Sequence, residues 1–176
     1  LLMTVSGTLA YNWTVLLPTL ARDEFGQGAQ ATGLMFTAMG IGAVIMGLAF
    51  AGALRTSGRR LALCGLVFSA AMVGTAAAPT VGTAYVLLVL VGGTSVLFRT
   101  LANSLLQLRS DPEMRGRVVA LLILATGGTT TIGGPIIGAL GEIYGPRAGF
   151  LVGGVGTAIP AAWLLVSRLR RRRARS

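Results

Sequence analysis

The chain has 176 residues, of which 53% are hydrophobic and only 11% are charged, and its formal net charge is +10. Soluble domains carry roughly 25% charged residues, so the composition excludes an ordinary soluble protein. All 15 basic residues are arginines, and six of them lie in the C-terminal segment 168–176. Because this segment directly follows a hydrophobic stretch, it predicts a cytoplasmic anchor on anionic lipid and no nucleic-acid partner.

Apolar stretches of about 20 residues, separated by short polar breaks, predict helices that span a membrane. The predicted fold class is an all-α membrane protein with a transmembrane domain over residues 1–168 and a basic cytoplasmic tail over 169–176. The six predicted spans cover about 1–21, 31–54, 61–78, 82–106, 117–140 and 148–167.

Histidine and lysine are absent, and Cys64 is the one cysteine of the sequence. The composition therefore lacks the commonest metal ligand and proton shuttle. An intramembrane protease built on Ser95 would also lack the general base that activates its nucleophile. We expect no enzyme activity, no cofactor and no metal site.

The first predicted span contains many polar residues, and we identify Tyr11 and Asn12 as candidates for a substrate pathway. Polar side chains in membrane helices favour the interior of the bundle or a water-filled cavity. Asn12 is equally compatible with a hydrogen bond to a neighbouring helix. Pro18 predicts a kink or an end of this helix.

The second span is rich in glycine, which predicts close approach of helix backbones. The short basic loop after it contains Gly58, Arg59 and Arg60, which we assign to packing or gating. The third span consists mainly of small residues and is predicted to be a peripheral support helix.

The fourth span carries polar residues along its second half, and its pathway candidates are Thr94, Ser95, Arg99 and Asn103. Arg99 has two interpretations, because an arginine inside a span can extend to the nearby membrane interface or contact an anion in a cavity.

The fifth span contains Gly134, Pro135 and Gly138. The two glycines form a GxxxG pair suited to close helix packing. We assign the three residues to packing or gating.

Arginines are distributed unevenly between the loops. Loops 55–60 and 109–117 carry three each and the tail carries six, whereas the opposite loops carry Arg22 and Arg147. The positive-inside rule therefore predicts that both termini are cytoplasmic.

Two span exits are similar. Gly-Ala-Leu at 52–54 is followed by RTSGRR, and Gly-Ala-Leu at 138–140 is followed by GEIYGPR. Because the two exits would lie on opposite sides of the membrane, they indicate two three-helix units in inverted topology.

The chain resembles the major facilitator superfamily. The resemblance is carried by the segments GTLAYNWTVLLPTLAR, NSLLQLRSDPEMRGRV and GGPIIGALGEIYGPRAG. It is similar to the C-terminal six-helix half of a bacterial drug-efflux member, close to the enterobactin-exporter-like group. In such a twelve-helix fold the first and fourth spans would line a central cavity, the second and fifth would face the other half, and the third and sixth would be peripheral.

The resemblance implies a secondary active transporter of the bacterial plasma membrane that exports a small amphipathic molecule by alternating access. Its partners would be the substrate, the lipid bilayer and a missing N-terminal six-helix half. The chain also begins inside a hydrophobic run, as expected of a piece of a longer polypeptide. Proton coupling is implied too, and because all five acidic residues lie at loops or span ends, its site is expected in the missing half. The rival hypothesis is a non-transporting membrane interaction or assembly protein, or a degenerate transporter fragment.

Overall fold

The computed structural model describes residues 2–50, 56–109, 111 and 114–173, so the Gly-Ala-Leu exit at 52–54 lies outside the described residues. The helices are α1 (Leu2–Leu9), α2 (Trp13–Thr19), α3 (Ala29–Ala49), α4 (Gly58–Ala76), α5 (Val81–Arg109), α6 (Arg115–Ile123), α7 (Thr129–Tyr144) and α8 (Pro146–Arg173). Two wider π-helical turns, Leu20–Glu24 and Leu124–Gly128, continue α2 and join α6 to α7.

Within the described ranges, four helices are long and apolar enough to cross a membrane: α3, α4, residues Val81–Leu108 of α5 and residues Pro146–Ser167 of α8. The first and fifth predicted spans are built differently. The first is interrupted between α1 and α2, and the fifth is one helical path in which a π-helical turn separates α6 from α7. The architecture is therefore all-helical and multi-pass, and the count of six spans stays a prediction.

Helix α5 lies between two neighbours in the packing, since it contacts both α3 and α4. On its other side α4 packs along α8, and the segments α1 and α2 lie against α7 and α8. The largest side chains that are fully buried come from α2, α3, α4, α5, α7 and α8, and they include Leu16, Met35, Phe68, Phe98, Ile137 and Phe150. The first span therefore packs against the last two spans in the sequence.

The backbones of α3 and α5 touch where the two helices cross. A Cβ atom at Gly42 would overlap the carbonyl oxygen of Val89, and one at Gly92 would overlap the carbonyl oxygen of Met39. A Cβ atom at Gly40, on the same helix, would meet no other atom within 4 Å. The close packing expected of the second span is thus specific to the face that carries Gly42.

We predict that Gly42→Ala destabilises the chain and that Gly40→Ala does not. A methyl group forced into the crossing must push α3 and α5 apart, which costs about 1–3 kcal/mol of unfolding free energy. Denaturant titration of the purified chain in detergent micelles, followed by tryptophan fluorescence, measures this difference. Equal stability of the two variants would contradict the crossing.

Candidate functional site

The first predicted span is interrupted at residues 10–12. The backbone N–H of Tyr11 donates to the carbonyl of Ser6 at 3.2 Å, one residue farther back than in an α-helix. A new helix then begins when the N–H of Leu16 donates to the carbonyl of Asn12 at 2.9 Å. Asn12 itself has φ −97° and ψ 47°, which lies outside the helical range. The chain is therefore redirected at Tyr11 and Asn12, the two polar residues singled out in the sequence.

The side chain of Asn12 closes the interruption. Its Nδ2 donates to the carbonyl oxygen of Thr8 at 2.7 Å, the acceptor that the backbone N–H of residue 12 would use in a continuous helix. The backbone of α7 lies against the same carbonyl at Gly133, where a Cβ atom would overlap the oxygen. With 3% of its surface exposed, Asn12 is a buried partner of its own backbone in this conformation. Its role in a substrate pathway stays a prediction.

The glycine pair of the fifth span lies close to this interruption. A Cβ at Gly134 would be 3.8 Å from Oδ1 of Asn12, and one at Gly138 would be 3.8 Å from α2, which are ordinary contact distances. Pro135 between them is exposed. The tightest approach of α7 is therefore at Gly133, one residue before the GxxxG pair, and it is made to α1 of the same chain.

The interruption places Tyr11 and Trp13 in a cluster of aromatic rings with Phe68 of α4, Phe98 of α5 and Phe150 of α8, which we call the aromatic cluster. The ring centroids of Tyr11 and Phe68 are 5.7 Å apart and those of Phe68 and Phe98 are 6.0 Å apart, both in stacked geometry. Trp13 lies 6.3 Å from Phe68 and 6.4 Å from Phe150. Stacked and edge-on pairs stabilise each other beyond simple burial, so the cluster joins α4, α5 and α8 around the interruption.

Three of the predicted pathway residues meet at the edge of the aromatic cluster. The hydroxyl of Tyr11 donates to the carbonyl of Ser95 at 3.2 Å. The guanidinium carbon of Arg99 lies 5.3 Å from the centroid of the Tyr11 ring, which is a cation–π contact. Helical side chains lean toward the N-terminus of their helix, and this contact holds the Arg99 cation in that direction, away from the nearer end of α5. Which of the two interpretations of Arg99 holds in the membrane stays a prediction.

A polar stripe runs from this point to the C-terminal end of α5. Ser95, Arg99, Asn103 and Gln107 recur at every fourth residue, so they share one face of the helix. The stripe is about 18 Å long at the helical rise. Nε2 of Gln107 donates to Oδ1 of Asn103 at 2.9 Å. The stripe ends at a recess of about 330 Å³ lined by Thr56, Ser104, Gln107 and Leu108.

The remaining predicted residues lie apart from the aromatic cluster. Thr94 is buried, and its hydroxyl donates to the carbonyl one turn back in α5 at 2.6 Å. Gly58 is buried at the first turn of α4, whereas Arg59 and Arg60 are exposed. The backbone N–H of Arg60 donates to the Ser57 hydroxyl oxygen, which caps this helix.

Sequence reasoning missed Phe68, which lies in the span predicted to be peripheral. Its side chain is 0% exposed and stacks with both Tyr11 and Phe98. One signal was available, because Phe68 is the one aromatic residue in the predicted span 61–78.

Sequence reasoning also missed an ion pair and a hydrogen bond made by Arg147 near the N-terminal end of α5. Nη2 of Arg147 lies 2.9 Å from Oε1 of Glu24 and donates to the carbonyl of Ala78 at 2.9 Å. One guanidinium thus connects the end of the first span, the α4–α5 connection and the start of α8. The neighbouring Arg22–Asp23 pair is more exposed, and its hydrogen bond raises the pKa of the Arg22 guanidinium.

The family profile described as Major Facilitator Superfamily matches residues 1–176, the whole chain. The chain belongs to the major facilitator superfamily. Members of this superfamily are transporters, so the match indicates a membrane transporter and is consistent with a protein that is not an enzyme. No curated protein and no solved structure matches the chain significantly. In the described part of this superfamily member, no group of three or more His, Cys, Asp or Glu residues is arranged to hold a metal ion.

We predict that Asn12→Ala lowers the unfolding free energy by about 0.5–2 kcal/mol, because the Thr8 carbonyl loses its side-chain donor inside the bundle. Thr14→Ala, at an exposed position of α2, is the matched control and should leave stability unchanged. The same denaturant titration in micelles measures both variants. If the two variants are equally stable, the hydrogen bond from Asn12 to the Thr8 carbonyl does not stabilise the chain.

Glu24→Gln is expected to lower the unfolding free energy by about 0.5–1 kcal/mol, because it removes the charge that faces a half-buried guanidinium. Asp23→Asn, one residue away, is the control, since its partner Arg22 has 80% of its side chain exposed. We expect no measurable change from it. A double-mutant cycle with Arg147→Gln isolates the pair, and a coupling energy of zero would show that Glu24 and Arg147 do not interact in solution.

Proposed function

We propose that the chain is the C-terminal six-helix half of a secondary active transporter that exports a small amphipathic molecule by alternating access. We place it in the drug-efflux, enterobactin-exporter-like group. The superfamily match over the whole chain carries the proposal. The surface where the first and fourth spans meet supports it, because Tyr11, Ser95 and Arg99 are brought together there by the interruption of the first span.

The packing of the helices supports two inverted three-helix units. Exchanging the first three spans with the last three converts the α3–α5 contact into the contact of α1 with α7, and the α4–α5 contact into that of α1 with α8. The α4–α8 contact converts into itself. The same exchange relates two close backbone contacts. Gly42 of the second span lies against the Val89 carbonyl of the fourth, and Gly133 of the fifth span lies against the Thr8 carbonyl of the first. Such pairwise exchange is expected of an inverted repeat.

Alternating access requires that parts of the spans move relative to each other, and a few residues at element ends usually absorb the change. The interruption at 10–12 and the π-helical turn Leu124–Gly128 provide two such points in neighbouring spans, since α1 lies against that turn. In our mechanism α1, which stays packed against α7 at Gly133, changes its angle to α2 at residues 10–12, and α6 changes its angle to α7 at the π-helical turn. The hydrogen bond from Asn12 to the Thr8 carbonyl holds the two segments of the first span together at residues 10–12 in the conformation described.

We assign both termini to the cytoplasmic side of a bacterial plasma membrane, because twelve arginines lie in the loops and tail on that side and two lie opposite. Proton coupling requires a titratable group within the membrane. The acidic residues of this chain are Asp23, Glu24, Asp111, Glu113 and Glu142, all at loops or span ends. We therefore assign coupling to the N-terminal half, which would form the other wall of the cavity.

The test is export of a fluorescent amphipathic dye from bacterial cells that lack their own efflux pumps. The full 176-residue chain is expressed alone and together with a six-helix N-terminal half, and a protonophore tests the dependence on the proton gradient. We expect export with both halves and none with the chain alone, because one half supplies one wall of the cavity.

In the two-half system, Tyr11→Leu should reduce export by a factor of about 2 to 30, the loss expected for one cation–π contact. Thr14→Ala is the control on the same span and should retain export. If neither the chain nor the pair exports any dye, the transporter proposal is wrong, and the chain is better explained as a non-transporting membrane assembly protein.

A further inference from the structure

Arg99 is a cation inside the membrane without an anionic partner in the described residues. It lies 18 residues after the start of α5 and ten before its end, which places it about 15 Å from that end. Arg99 takes part in neither of the ion pairs Arg22–Asp23 and Arg147–Glu24. The sequence also contains no acidic residue between Glu24 and Asp111, so α3, α4 and α5 have none. A charge at this depth is costly unless a counter-charge or water compensates it.

The contact with Tyr11 positions the cation but does not neutralise it. A ring face attracts a guanidinium through its quadrupole and takes none of its N–H donors. The ring is fixed in turn, because the Tyr11 hydroxyl donates to Ser95 and the ring stacks on Phe68. Arg99 is therefore held in place with donors available to a planar anionic group, which it can bind with two parallel hydrogen bonds.

A polar route and an apolar wall meet at this cation. The polar stripe leads from the recess at Gln107 past Asn103 to Arg99, which suits the passage of a hydrated anion. On the other side, the half-buried rings of Tyr11 and Trp13 form the edge of the aromatic cluster. One ligand fits both surfaces if it carries an anionic head and an aromatic or aliphatic body.

We propose that Arg99, positioned by Tyr11, binds the carboxylate-like head of an amphipathic organic anion whose apolar body lies against Tyr11 and Trp13. The inference rests on the proposed export function and assigns the charge class of its substrate. Under the proposed orientation the anion enters from the cytoplasmic end of α5.

The test is a binding measurement that needs no transport. The purified full chain carrying Trp163→Phe is placed in nanodiscs of zwitterionic lipid, which leaves Trp13 as its one tryptophan. Trp13 lies 5.9 Å from the Tyr11 ring, so its fluorescence reports on ligands at this site. The probes are para-tert-butylbenzoate, the isosteric para-tert-butylbenzamide and para-tert-butylbenzylammonium, each corrected for partitioning into empty discs.

We expect the benzoate to bind about 10-fold tighter than the benzamide, and the ammonium compound to bind weakest. Arg99→Gln should remove most of the benzoate advantage while the benzamide affinity stays within about twofold, and Arg99→Lys should retain part of it as a single point charge. Arg22→Gln, an exposed arginine outside the spans, is the matched control and should keep the full ratio.

Equal affinity for benzoate and benzamide in the unaltered site would overturn the inference, and this comparison needs no variant at position 99. So would an Arg99→Gln protein that keeps the benzoate advantage. A loss of benzoate binding in discs with anionic phospholipid that exceeds the loss of benzoate partitioning into empty discs of the same composition would mean that a lipid headgroup occupies Arg99. This result also overturns the assignment to a soluble anion. Export of neutral dyes without a preference for anions would sink this inference and leave the transporter proposal standing. Carboxylate binding by the chain, together with no export by the two-half system, would sink the transporter proposal and leave the binding site standing.

Discussion

Lipid offers no hydrogen-bond donors or acceptors, so a membrane helix can break only where the protein itself satisfies the freed backbone groups. In this chain the Asn12 amide takes the place of a backbone N–H at the Thr8 carbonyl, and Gly133 allows α7 to cover the same oxygen. The interruption in turn releases Tyr11 from a regular helical direction, so that its hydroxyl reaches Ser95 on α5. The surroundings of Arg99 therefore depend on one amide–carbonyl hydrogen bond, which is made by Asn12, the residue next to the Tyr11 ring that Arg99 contacts.

Two faces of α5 carry different tasks. Gly92 lets the backbone of α3 come into contact, and the Thr94 and Ser95 hydroxyls bond to carbonyls of their own helix, so neither hydroxyl is left unsatisfied in the packed interior. The face with Arg99 and Asn103 remains polar as far as Gln107. A helix with close packing on one side and a polar stripe on another can border a cavity while staying anchored to its neighbours.

Hydrophobicity over a window of about 20 residues was sufficient to predict an all-helical membrane protein, because the cost of leaving polar groups in lipid acts on every residue of a span. The candidate site was predictable in part. Tyr11, Ser95 and Arg99 are conspicuous as polar residues in apolar spans, and the structure brings them together. The role of Asn12 as a substitute for a backbone donor was not predictable, since it requires the position of Gly133, far away in sequence. Phe68 escaped for a similar reason, because an aromatic side chain among small residues has no periodic signal until its neighbours are known.

The interruption is covered by Gly133 of α7, and the distance between the two in the sequence matters for biosynthesis. Gly133 is synthesised about 120 residues after Asn12, which corresponds to roughly ten seconds at ordinary translation rates. During that interval the first span leaves the ribosome with its interruption uncovered by α7, and it lacks α8 as well. The insertion machinery, or helices made earlier, must shield it from lipid until the last two spans arrive. Truncation of the chain before α7 would therefore leave the interrupted first span as the nascent element most exposed to quality-control proteolysis.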